Sequence, residues 1–137
     1  KDKNGLIANR VEAGKRPRSS MSPVLVFDKS GQKLEMVVGS PGGSRIIGYV
    51  SQTLLNLIDW KMDPQTAVNA PHYGSRNGPK TEVEKGTGLA ALIPELKAKG
   101  EEAVEGEMTS GLSAIVKTKK GYLGGADARR EGTVKGE

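Results

Sequence analysis

The sequence predicts an α+β fold, a layered sandwich in which antiparallel strands carry a few helices, and three observations lead there. Residues 23–27 and 33–38 are short apolar runs flanking a Gly-containing loop, Asp28-Lys29-Ser30-Gly31-Gln32, which marks a hairpin. From 44 to 59 the apolar period changes to that of a helix, with Ile46, Ile47, Val50, Leu54, Leu57 and Ile58 on one face. Beyond residue 80 short strand-like runs return. The elements read β-β-α-α-β-α-β-β-β, and no internal repeat interrupts them.

Each element has a local reason. Residues 1–18 are polar, rich in Gly and Lys and aperiodic, so they read as an extended connector, the start of a domain that looks cut; residues 19–137 form the domain portion. The first strand is apolar almost throughout, which predicts burial on both faces. Asp63-Pro64 places a cap residue before a proline at the first helical position, and that second helix runs to about residue 70, where Pro71 stops it. Residues 73–79 read as a loop and 81–84 as a strand. Residues 88–99 have helical composition, but Pro94 in a helix interior would cost about 3 kcal/mol, so either the helix kinks or it begins near Ile93. Strands at 103–108, 113–118 and 121–124 complete the pattern, with Lys119-Lys120-Gly121 turning between the last two.

Composition narrows the function. With 35% hydrophobic and 27% charged residues the chain is globular, and with 4% aromatics its core is built from aliphatic side chains. The net charge of +5 is concentrated near the start, in Lys1, Lys3, Arg10, Lys15, Arg16 and Arg18. No aromatic residue is interleaved with these bases, so stacking platforms for nucleic acid are missing and a solvated basic face is expected, with Arg16 and Arg18 adding positive potential for an anionic substrate. The absence of cysteine removes disulfides, thiolate metal sites and a thiol nucleophile. Neither a metal nor another cofactor is expected, since His72 is the lone histidine and no carboxylates cluster with it. No apolar run has the roughly 20 residues needed to cross a bilayer.

Two segments carry chemistry. Gly39-Ser40-Pro41-Gly42-Gly43-Ser44-Arg45-Ile46 leads from an apolar strand directly into a helix, leaving unpaired N–H groups at the positive end of the helix dipole. Two glycines without Cβ let an anion or oxyanion approach those donors. The plain alternative is a tight turn with Ser44 as helix N-cap. Arg16-Pro17-Arg18-Ser19-Ser20-Met21-Ser22-Pro23 supplies hydroxyls at the other end of the hairpin, where the plain reading is a turn before a strand. His72 reads as a surface loop histidine, because nothing in the sequence points to a partner that would orient it in a Ser-His-Asp triad.

These two segments, with Asn69-Ala70-Pro71 and Gly125-Ala126-Asp127-Ala128-Arg129-Arg130-Glu131-Gly132, resemble the C-terminal part of the small subunit of γ-glutamyltranspeptidases, a family of N-terminal-nucleophile hydrolases, over nearly the whole chain. The resemblance implies part of an αββα sandwich with antiparallel sheets. It implies that Gly42 and Gly43 form the oxyanion hole and that Ser19 and Ser20 hold the α-carboxylate of a γ-glutamyl group. The activity implied is cleavage of γ-glutamyl amides such as glutathione through a γ-glutamyl-threonine ester, passed to water or an amino acid. The family's nucleophilic threonine, its α-amino contacts and the arginine from the large subunit are not in this sequence, so the chain is expected to be inactive alone. Expected partners are the large subunit and the rest of the small subunit, with no nucleic acid, and exposed strand edges predict homodimerisation. The family setting is periplasmic or extracellular. Alanine at 128 and the loop 71–79 depart from the usual family pattern. A cephalosporin acylase or polyglutamate-cleaving relative, and a noncatalytic γ-glutamyl or anion-binding module, remain as alternatives.

Overall fold

The computed structural model describes residues 3 and 5–136. Among the described residues no helix or strand precedes Val24, and the described part of the connector is held by turns and by ion pairs of Glu12 with Arg10 and Lys15.

Strands β1 (Val24–Phe27), β2 (Leu34–Gly39), β6 (Ser113–Thr118) and β7 (Gly121–Ala126) form an antiparallel sheet in the order β1-β2-β6-β7. Its register aligns Val24, Val38 and Ala114 across three strands, and Met36 with Val116, on one face. Against that face lie α1 (Ile46–Ile58) and α2 (Pro64–Asn69), and the core they close contains Val38, Ile46, Tyr49, Val50, Leu57, Val68 and Leu112. Gly125 of β7 permits the close approach of α2, since a Cβ there would stand 2.3 Å from the Pro64 carbonyl oxygen.

A smaller sheet, β3 (Tyr73–Gly74), β4 (Lys80–Glu84) and β5 (Glu102–Gly106), is mixed. β3 and β4 are antiparallel, whereas β4 and β5 are parallel. A parallel neighbour requires a crossover, and here it runs through a 3₁₀ turn (Gly88–Leu92) and α3 (Ile93–Ala98). Pro94 therefore falls in the first turn of α3, where its missing N–H costs nothing. The α+β class is as the sequence predicts.

Three local expectations change. β1 is not buried on both faces: Leu25 is 58% and Phe27 47% exposed, because among the described residues no layer covers the outer face of the sheet. In α1, Ile47 and Ile58 point outward, and Tyr49 and Thr53 complete the buried stripe instead. The Thr53 hydroxyl is tolerated there because it donates to the Tyr49 carbonyl at 2.9 Å. The loop at 73–79 begins with the short strand β3.

Candidate active site

The turn between β2 and α1 sits where the core strand Val38 ends. Gly42 has φ 140° and Gly43 φ 59°, a backbone path that side chains rarely adopt. A Cβ on Gly42 would also lie 2.7 Å from the Tyr49 ring. Gly43 opens a 3₁₀ turn (Gly43–Arg45) that runs into α1, and Gly42, not Ser44, occupies the cap position. Among the described residues no side chain caps this end, and neither the Gly42 nor the Gly43 N–H has an acceptor. Two adjacent donors are thus left free at a helix start.

The turn is braced from outside its own segment. Ser40 Oγ donates to the Pro41 carbonyl at 2.7 Å and accepts from the Gly111 N–H at 3.2 Å. Gly111 is packed so closely that a Cβ would stand 2.7 Å from both Pro41 Cγ and Arg130 Cδ. Arg130 in turn donates twice to the Thr109 carbonyl, at 3.1 and 3.0 Å. The Tyr49 hydroxyl accepts from the Thr109 N–H at 3.3 Å. On the far side, Arg45 grips Glu82 of β4 with both Nη atoms, at 2.8 and 3.1 Å, tying the helix start to the small sheet.

Ser19, Ser20, Gly43 and Ser44 line one open concavity of about 550 Å³, with Arg18 beside them. Of the four residues singled out in the sequence, three share this wall. Gly42 lies one residue back, beneath Tyr49. The serines make only local bonds: Ser19 Oγ accepts from the Met21 N–H at 3.3 Å, and the Ser20 carbonyl accepts from Ser22 at 3.0 Å. The wall presents hydroxyls, free amides and a guanidinium, an arrangement suited to a carboxylate and a developing oxyanion.

Behind the turn lies a polar cluster that the sequence did not reveal. His72 is 2% exposed, not a surface residue, and its ring centre lies 4.4 Å from that of Tyr49, the two planes tilted by 40°. Its Nε2 is 2.9 Å from Ser110 Oγ and its Nδ1 3.0 Å from the Gln52 side chain. Ser110 donates to Asp127 Oδ2, so the order is His-Ser-Asp, with the carboxylate on the serine rather than on the imidazole. That is no nucleophilic triad, and Ser110 is fully buried.

Charge in this cluster is compensated. Arg129 donates to Glu84 Oε2 at 2.8 Å and Asp127 Oδ1 at 3.0 Å, and to the carbonyls of Val68 and Ala70 at the end of α2. Burial alone would raise the Asp127 carboxyl, but bonds from Ser110, from the Arg129 and Leu112 amides and from the Arg129 side chain hold it below the ordinary range. Glu84 is lowered likewise against the effect of burial, chiefly by Arg129, and also by the His72 N–H, which donates to it at 2.8 Å. Burial, aided by the positive Arg129, pushes the His72 imidazole down to about 4. Among the described residues no acidic and imidazole groups assemble a metal site, and every buried side-chain polar atom has a partner.

The α+β arrangement is that of the N-terminal-nucleophile hydrolases, the class of the similar solved structures. The γ-glutamyltranspeptidase family model matches residues 2–137, and the chain belongs to that family. It is similar to the glutathione hydrolase proenzyme of Escherichia coli, 41% identical over 124 residues that make up 90% of this chain and 21% of that protein. It is also similar to the acylase ACY 1 proenzyme of Pseudomonas sp. strain SE83, 34% identical over 90% of this chain and 22% of that protein. Among solved structures, the T380A mutant of Helicobacter pylori γ-glutamyltranspeptidase superposes with a TM-score of 0.76 at 37% identity, covering 92% of this chain and 69% of that one. The chain thus spans about a fifth of the two proenzymes' length.

Proposed function

We propose that the protein containing this chain cleaves γ-glutamyl amides such as glutathione, and that these residues supply the oxyanion hole and the carboxylate site. The γ-carbonyl lies over the turn, where the Gly42 and Gly43 N–H groups receive the negative charge that forms on its oxygen. Ser19 and Ser20, with Arg18 beside them, hold the α-carboxylate. A threonine hydroxyl from outside these residues adds to the carbonyl carbon. The tetrahedral intermediate then collapses by breaking the C–N bond, and the amine leaves with a proton. Water or an amino acid attacks the resulting ester, returning the threonine and giving glutamate or a new γ-glutamyl amide.

The carrying observation is the single wall shared by Ser19, Ser20 and Gly43, set beside two uncommitted amides. In this reading residues 1–18 are a connector, residues 19–137 are the C-terminal portion of the small-subunit domain, and alone they turn nothing over. The bare outer sheet face, with Leu25, Phe27 and Ile115 exposed, supports the rest of the small subunit and the large subunit as its cover. A periplasmic or extracellular setting follows from the same family reading.

The test is turnover of glutathione by the complete protein, with Ser20→Ala compared. A rise in KM of about tenfold or more is expected, from loss of a hydrogen bond to a charged group. Unchanged KM and kcat would remove Ser20 from the substrate site. The likeness to an acylase proenzyme favours one second reading, an acylase that accepts a different acyl group on the same turn. Preference for a cephalosporin side-chain amide over glutathione would select it.

A further inference from the structure

Tyr49 stands in the first turn of α1 and is 3% exposed. One edge of its ring faces Gly42 so closely that a Cβ there would lie 2.7 Å from Tyr49 Cε2 and 3.0 Å from Cδ2, and the bare glycine backbone rests on that edge. The ring is fixed at its tip, where the hydroxyl accepts from the Thr109 N–H at 3.3 Å and points at the Met108 sulfur at 3.7 Å. It is also backed by a second ring. His72 lies 4.4 Å behind it, and the imidazole is itself held at both nitrogens, by Ser110 at 2.9 Å and by Gln52 at 3.0 Å. Neither glycine N–H has an acceptor among the described residues, and the Gly42 carbonyl accepts only the 3.3 Å bond from the Arg45 N–H. Packing therefore does much of what hydrogen bonds do elsewhere in fixing this backbone, and in a close-packed interior a shift of one ring is felt by the next.

We propose that Tyr49 and His72 are positioning residues for the reaction: the His72 ring seats Tyr49, and the edge of the Tyr49 ring sets where the Gly42 and Gly43 amides point. The inference rests on the oxyanion role proposed for those amides. It assigns the effect to the tyrosine ring rather than to its hydroxyl, because the ring is what touches Gly42. It also separates two kinetic quantities. Displaced donors weaken the hold on an oxyanion that exists only after attack, whereas Ser19 and Ser20, whose bonds are local, bind the substrate as before.

The experiment measures kcat and KM for glutathione with the complete protein near neutral pH. Tyr49→Phe keeps the ring, and its kcat is expected to stay within about threefold of the parent. Tyr49→Met fills the space with a flexible chain, and kcat should fall about tenfold or more while KM changes less than about twofold. His72→Gln keeps a hydrogen-bonding group opposite Ser110 but removes the ring behind Tyr49, and kcat should fall about threefold to tenfold, again with KM steady. Added to Tyr49→Met, His72→Gln should cost little more, since both act through one contact. A parent-like kcat in Tyr49→Met, an equal loss in Tyr49→Phe, a loss carried by KM, or fully additive losses would each overturn the inference. Should Tyr49→Met fail to fold, His72→Gln carries the test with Tyr49 in place, and an unchanged kcat there overturns it. Gly42→Ala separates the two readings: if it lowers kcat while these variants do not, only the positioning inference falls, and if it leaves kcat intact the oxyanion role falls as well.

Discussion

The two halves of the site are built in opposite ways. The Pro41–Gly43 turn is held by Tyr49 of α1, by Gly111 and Arg130 from the loops before β6 and after β7, and by the preceding Ser40, itself bonded to Gly111. The Ser19–Ser20 segment is held by bonds to its own neighbours two residues away. Oxyanion donors act through being fixed before charge develops, so under the proposed function the braced half is the one that would act at the transition state. A carboxylate holder needs less prior order, since the bound carboxylate itself can organise two hydroxyls, at some cost in affinity.

This contrast is breakable at its strongest point. Asp127→Ala would leave Arg129 and Ser110 buried without their carboxylate, and a loss of about 3–5 kcal/mol in unfolding free energy is expected from urea titration of the complete protein. A loss below about 1 kcal/mol would mean that the polar cluster behind the turn is dispensable. Next, Gly42→Ala places a methyl 2.7 Å from the Tyr49 ring at φ 140°, shifting the donors, and kcat is expected to fall about 10²–10³-fold with KM little changed.

Acid sharpens the comparison further. His72 has its folded pKa lowered from 6.5 to about 4, so between those values the unfolded chain binds more protons than the folded one. The stabilisation is fully present above pH 6.5 and is lost as pH falls toward 4, by about 3 kcal/mol at most. The lowered Asp127 and Glu84 carboxyls act with the same sign further down, their contribution disappearing as pH falls through their folded values. Stability curves for the parent and His72→Gln should diverge in slope between pH 4 and 6.5, and parallel curves would refute the assignment. The smallest effect belongs to the loose half: Ser19→Ala should change unfolding free energy by no more than about 0.5 kcal/mol, since only a local turn bond is lost.

What the sequence made legible was periodic or punctuated. The hairpin, α1, the Asp63-Pro64 helix start and the strand Ser113–Thr118 follow from local pattern. The start of α3 at Ile93 follows from where a proline is tolerated. The Gly42–Gly43 turn was visible because its residues are adjacent. The polar cluster behind the turn was not, because its members are dispersed: His72, Ser110 and Asp127 lie far apart in sequence, and a lone histidine carries no sign of the serine that meets it. Glu84 and Arg129 look like ordinary surface charges until folding pairs them. The exposed face of β1 was misread for a related reason. An apolar run reports what a strand is suited to bury, and the covering layer is a property of another segment.

The brace also sets an order in time. A nascent chain leaves the ribosome from its beginning, so the glycine turn is made well before the residues that hold it. Until residues 109–130 have emerged, Gly42 has its tyrosine but neither Gly111 nor Arg130 beside it. Pairings between distant segments form late because the intervening loop must first close. The turn therefore acquires its working shape only after residues 109–130 have been made, and any chemistry that depends on it has to wait for them.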